Sequence, residues 1–264
     1  MTSGGLFNTV LVRLPTDDLR RCISTHPLRD YVDLSLAVKQ HRDYVRILRE
    51  VGIDVIELPP LHGFPDAVFI QDTAVVGLVS GKALLARFGV DSRRGEELSV
   101  GEFLSGLRIK VVRTETPATI EGGDVLVTDV GIMFVGITSR TNTLGVQMLK
   151  QVFKDYEVIP VPTNKVFHLL SAVSYLGNRT VAIVPEYVDP SAFSGFKLIR
   201  IPFEEAYAAN MLYLGHMKVL IPEGHPRTAE ILRREGYSVI EVDVSEFRKC
   251  DGGVTCLNLP LYNI

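Results

Sequence analysis

No apolar run in this chain reaches the roughly 18 residues that a membrane span requires. The longest, such as 130–137, is broken by glycine and suits a buried strand. The N-terminus, Met1-Thr2-Ser3-Gly4-Gly5, has no basic segment leading into an apolar stretch, so no signal peptide is expected. Cysteine is scarce: Cys22, Cys250 and Cys256 form no CxxC pair and cannot all be bridged. That usage is expected of a reduced, cytoplasmic protein. A large excess of charge is lacking too. The net charge of −3 provides no basic stripe for nucleic acid. Neither G-x-G-x-x-G nor G-x-x-x-x-G-K-[ST] occurs, which argues against a doubly wound sheet with a phosphate loop. No pair of histidines has metal-ligand spacing, so neither a metal nor an organic cofactor is expected.

What the chain does have is a repeat. Hydrophobic residues make up 46% of its 264 residues and charged residues 22%, as in a globular domain, and no linker interrupts it. One domain, 1–264, is expected. A short apolar strand, a helical stretch, a second strand, a Gly- or Pro-marked turn and a third apolar strand recur along it. Residues 36–51, 95–107, 142–153 and 227–235 carry helical patterns, with a shorter one near 190–196. A reactive side chain stands just before each third strand: Asp72, Glu121, His168, a weaker copy at Asn210, and Cys256. The steps are 49, 47, 42 and 46 residues, a period that belongs to supersecondary units packed side by side. Five such units closed into a ring bring equivalent positions to its axis. The expected fold is a five-bladed, pseudo-symmetric α/β propeller.

The residues at those positions read as a catalytic set. Cys256 is the candidate nucleophile; its thiolate needs a cation nearby, either a protonated His168 or the substrate itself. His168 titrates near neutral pH and suits general acid and base work. Glu121 and Asp72 end strands that otherwise look buried, and a buried carboxylate needs a cationic partner. Asp66 and Asp124 can be read as turn formers. Arg93 and Arg140 each lie just ahead of a helix, where a cation helps neither cap nor dipole, which points to binding of a carboxylate. The 16–33 segment, with His26 in it, reads as a loop. The layout fits a substrate cationic at one end and carboxylate-bearing at the other, as arginine derivatives are.

Nearly the whole chain, from about Leu11, also resembles the guanidine-modifying enzymes of the pentein superfamily, and most closely the dimethylarginine dimethylaminohydrolases. The segments that carry the resemblance are Val55-Ile56-Glu57-Leu58-Pro59, Pro65-Asp66-Ala67-Val68-Phe69-Ile70-Gln71-Asp72, Asp91-Ser92-Arg93-Arg94, Ile120-Glu121-Gly122-Gly123-Asp124-Val125, Val135-Gly136-Ile137-Thr138-Ser139-Arg140-Thr141-Asn142 and Asp251-Gly252-Gly253-Val254-Thr255-Cys256. The resemblance implies the pentein propeller, with Cys256 as nucleophile, His168 as acid and base, and Glu121 in support. It implies that Asp72 holds the guanidinium, that Asp66 and Gln71 lie in the substrate site, and that Arg93 and Arg140 hold the amino-acid end. Gln71 stands where the animal enzymes commonly have Glu. The 16–33 segment becomes the substrate-covering loop. The expected activity is hydrolysis of dimethylarginine to citrulline and dimethylamine, on a small arginine derivative, with no nucleic acid or membrane as partner; whether the chain is a homodimer is open. Arginine deiminase and amidinotransferase activity are the chemical alternatives, and a non-catalytic propeller scaffold the other class.

Overall fold

The computed structural model describes residues 6–78, 80–163 and 165–262. These form five three-stranded sheets built on one plan. In the first, β1 (Thr9–Arg13) is the fully buried middle strand, and β2 (Asp54–Leu58) runs parallel to it, in register from Thr9 opposite Asp54 to Arg13 opposite Leu58. Parallel neighbours need a long crossover, supplied here by α1 (Leu34–Glu50). The Asp33 carboxylate starts that helix by accepting the N–H groups of Ser35 and Leu36. Gly52, at a φ of 89°, ends it where a side chain would be strained. The third strand is β15 (Leu259–Leu261), antiparallel to β1, so the two ends of the chain close one sheet.

The plan repeats with β3 (Ala74–Val76), β4 (Lys82–Leu85), α2 (Glu96–Gly106) and β5 (Lys110–Arg113). It repeats again with β6 (Val125–Val127), β7 (Ile132–Ile137), α3 (Thr143–Val152) and β8 (Glu157–Pro162). The fourth sheet, β9 (Val173–Tyr175), β10 (Thr180–Ile183) and β11 (Lys197–Arg200), is crossed only by a 3-10 turn, Pro190–Phe193. The fifth has β12 (Leu212–Gly215), β13 (Lys218–Pro222), α4 (Pro226–Arg234) and β14 (Ser238–Val242), with a short α5 (Ser245–Arg248) after it.

Sequence unit and sheet are out of phase by one strand. The third strand of each unit pairs with the first strand of the next unit, as β3 does with β4 and β6 with β7. Each unit therefore stitches two blades together. The core reflects this: one apolar cluster joins Leu126 and Phe134 to Val173, Val181 and Val219, from three different sheets. The inner strands β3, β6, β9, β12 and β15 each place a residue (Val75, Leu126, Ser174, Tyr213, Leu259) on one narrow channel of about 80 Å³. That shared channel is the axis of a closed five-bladed α/β propeller. Among the described residues, no helix is long and apolar enough to cross a membrane.

Candidate active site

The connection into each inner strand tightens into a short turn, and that turn carries the polar side chain. Asp72 lies in the 3-10 turn Ile70–Thr73 before β3, Glu121 caps Gly122–Asp124 before β6, and His168 caps Leu169–Ser171 before β9. Cys256 sits in the turn that leads to β15. Asp66, Asp72, Arg93, Arg140, His168 and Cys256 line one cavity, roofed by Ile23 of the 16–33 segment. It has room for about 20 Å³ of water, roughly one molecule. As it stands, that space is smaller than a guanidine. A second cavity of about 730 Å³ adjoins it, sharing Phe167 and Asp251 and adding Thr25, His26, Asn210 and Gly253.

His168 Nε2 lies 2.8 Å from Glu121 Oε2, and Nδ1 lies 3.7 Å from Asp72 Oδ1. Burial opposes a charge on the ring, but Asp72, Glu121 and Asp124 outweigh it and raise its pKa to about 9. His168 is therefore an imidazolium at neutral pH and has a proton to give. Burial likewise opposes ionised Glu121, yet the His168 hydrogen bond, with Arg93 and Arg140 nearby, holds its carboxyl well below the usual range. Glu121 is pinned further by the Gly89 N–H at 3.1 Å and by Arg140 at 3.5 Å. Gly123 has to be glycine for this cluster to close: a Cβ there would stand 2.5 Å from Asp72 Oδ1 and 2.8 Å from His168 Nδ1. Its N–H donates to Asp72 Oδ1 at 3.1 Å.

Cys256 is the one free cysteine. Burial, and then the charge of Asp72, push its thiol up to about 11. Gly253, Thr255 and Arg93 act the other way without offsetting burial and Asp72, so in the free protein the thiol stays protonated and an arriving cation is what would activate it. Asp72, Glu121 and His168 offer ligand atoms within 4.8 Å of one another, close enough for a metal ion. Arg93 and Arg140 already bring positive charge to those carboxylates.

Not every expected site residue lies where the sequence put it. Gln71 neighbours Asp72 in one 3-10 turn, but its side chain does not line the site cavity. It lines the axial channel instead, where Oε1 is buried without a partner. The Gln-for-Glu difference thus falls outside the cavity that holds the thiol. Arg93 is buried and heavily committed: to Asp72 at 2.7 Å, to both Glu96 oxygens, and to the carbonyls of Asp66 and Phe69. Arg140 has a lighter load, the Glu121 contact and the Phe167 ring 4.3 Å away, and keeps donors free among the described residues. Asp66 accepts the Ile23 N–H at 3.2 Å and so ties down the roof.

Three features escaped the sequence reading. Asp124 lies in a turn, Gly122–Asp124, but does more than form it: it is fully buried, accepts the Leu169 N–H at 3.0 Å and fixes the chain beside His168. Glu96, also fully buried, is the main counterion of Arg93. Its only signal was the i, i+3 spacing at the start of α2. Cys22 and Cys250 form a disulfide across 228 residues, against the expectation of reduced thiols. The fold brings their Cα atoms to 5.7 Å, which spacing along the chain could not reveal. The bond joins the roofing segment to the turn after α5, just ahead of Asp251-Gly252-Gly253, and Asp251 also accepts the Thr25 N–H at 2.9 Å.

The model of a family described as N,N dimethylarginine dimethylhydrolase, eukaryotic, matches residues 28–263. An uncharacterised protein of Aeropyrum pernix is 46% identical over 263 residues, covering 98% of this chain and 97% of its own. The N(G),N(G)-dimethylarginine dimethylaminohydrolase of Pseudomonas aeruginosa is 37% identical over 261 residues, 96% of this chain and 99% of its own. A cysteine-to-serine mutant of the P. aeruginosa enzyme complexed with citrulline superposes with a TM-score of 0.90 at 35% identity, over 97% of this chain and 99% of that one.

Proposed function

Because the chain belongs to the dimethylarginine dimethylaminohydrolase family, we propose that it hydrolyses an Nω-methylated arginine, dimethylarginine foremost, to citrulline and the methylated amine. The observation that carries the reading is the convergence of Cys256, His168 and Asp72 on one buried cavity, with Glu121 behind the ring, from separate blades. The cavity is rich in carboxylates and suits a guanidinium. Asp72 and Asp66 hold its nitrogens, and Arg140, with donors to spare, takes the amino-acid carboxylate. Arg93 is paired with Asp72 at 2.7 Å and can join the carboxylate only by leaving that partner.

The bound cation stabilises the Cys256 thiolate, whose proton leaves to water. Sulfur attacks the central guanidinium carbon, and the electron pair of the breaking C–N bond takes the proton of His168, so that the amine departs. An S-alkylthiouronium remains on Cys256. Neutral His168 then removes a proton from water; the hydroxide adds to the same carbon and the thiolate leaves, which releases the ureido product. No step calls for a cofactor, and one domain of 1–264 suffices. The same reading places the enzyme in the cytoplasm, where the Cys22–Cys250 bond would have to resist reduction.

Arginine, monomethylarginine, dimethylarginine and agmatine, assayed for ureido product, test the substrate. Dimethylarginine is expected to lead, and ammonia from arginine as the main product would make the chain a deiminase instead. Cys256→Ser is expected to abolish amine release with the melting temperature intact; undiminished turnover would remove Cys256 from the mechanism.

A further inference from the structure

The fifth blade looks silent in this chemistry, because Asn210, just before β12, occupies the position held elsewhere by an acid, imidazole or thiol. Its side chain is buried among groups that leave it one orientation. Oδ1 accepts the Thr255 N–H at 2.8 Å, and Nδ2 donates to the Leu170 carbonyl at 3.0 Å and to Thr255 Oγ1 at 3.0 Å. A flipped amide would set oxygen against the Leu170 carbonyl and nitrogen against an N–H, so the assignment is fixed by its partners. In that orientation Nδ2 stands 3.9 Å from Cys256 Sγ. Gly253 makes the approach feasible, since a Cβ there would fall 2.5 Å from Asn210 Oδ1. Asn210 also lines the larger cavity that adjoins the site.

We infer that Asn210 is a positioning residue for the nucleophile: it clamps the Thr255-Cys256 turn through its oxygen, and its amide nitrogen, whose two hydrogens go to the Leu170 carbonyl and Thr255 Oγ1, sets the positive end of the amide dipole 3.9 Å from the sulfur, stabilising the thiolate once it forms. The inference rests on the covalent reading of Cys256 and adds the group that serves the anion from the fifth blade. Among the neighbours of the sulfur, Asp72 disfavours its ionisation. An uncharged dipole opposes that effect without competing for the guanidinium, as a further cation would.

The test is alkylation of Cys256 by iodoacetamide, followed by intact mass on the full oxidised chain, where Cys22 and Cys250 are bridged and do not react. Loss of the turn clamp and of the amide dipole beside a charged sulfur is expected to slow alkylation of Asn210→Ala about tenfold at pH 8 to 10, and kcat with it, while KM stays within about twofold. Asn210→Asp, which sets a carboxylate beside the sulfur, is expected to be slower still. A residue that merely packs gives the opposite sign, because loosening the turn exposes the sulfur: alkylation unchanged or faster, with only the melting temperature lowered, overturns the inference. Should Asn210→Ala not fold, Gly253→Ala displaces the same amide and is expected to slow alkylation in the same way. Failure of the covalent reading is separate, since it would appear as wild-type turnover that survives complete alkylation of Cys256.

Discussion

Replacing Asp72 with asparagine is expected to move two rates in opposite directions. In the free protein Asp72 works against the thiol, whose pKa it helps raise to about 11. Asp72→Asn removes that charge and frees the nearby Arg93, which favours the thiolate. Iodoacetamide, which needs no recognition, is then expected to modify Cys256 severalfold faster at neutral pH. Turnover falls. A guanidinium about 4 Å from a carboxylate gains roughly 4 kcal/mol at an effective dielectric of 20, so kcat/KM is expected to drop about a thousandfold. Glu96 remains bound to Arg93, so the change does not orphan the buried arginine, and a thermal melt checks the fold. Parallel loss of alkylation and turnover would refute the argument by making Asp72 a scaffold residue. A kcat/KM loss of under tenfold would refute its contact with the guanidinium.

Stability is expected to fall as pH rises from about 7 to about 9, measured by denaturant midpoint. His168, raised to about 9, contributes stability in full below its ordinary value near 6.5 and loses it through the raised value; Glu96, raised from 4.5 to about 7, has the same sign but loses its contribution below that window. A midpoint rising across that window would contradict the charge assignment. The double change Cys22→Ser with Cys250→Ser is expected to cost about 3–5 kcal/mol, because the bond closes a long loop. It is also expected to speed alkylation of Cys256 by releasing the roof. An unchanged melting temperature and alkylation rate would show that the bond neither stabilises the fold nor holds the roof.

The propeller was legible in the sequence because each unit repeats the same apolar spacing and ends on the same polar position. The helices of α1, α2, α3 and α4 fall within a few residues of their patterns, and their caps at Asp33 and Asn142 follow ordinary rules. The phase between unit and blade was not legible, since it depends on which neighbour a third strand pairs with. Asp72, Glu121, His168 and Cys256 stood out because their blades align them. Where Gln71 points was not legible, because one step along a 3-10 turn aims a side chain elsewhere, and only the turn type decides where. Glu96 and Asp124 carry no such positional mark. Their roles come from burial beside groups distant in the chain, as does the Cys22–Cys250 bond.

The most direct test is rapid quenching of the protein with dimethylarginine, then intact mass and peptide mapping. A mass increase on Cys256 matching the substrate less dimethylamine, which decays as citrulline appears, is the expected result. Steady turnover with the Cys256 peptide unmodified at every time point would contradict the account.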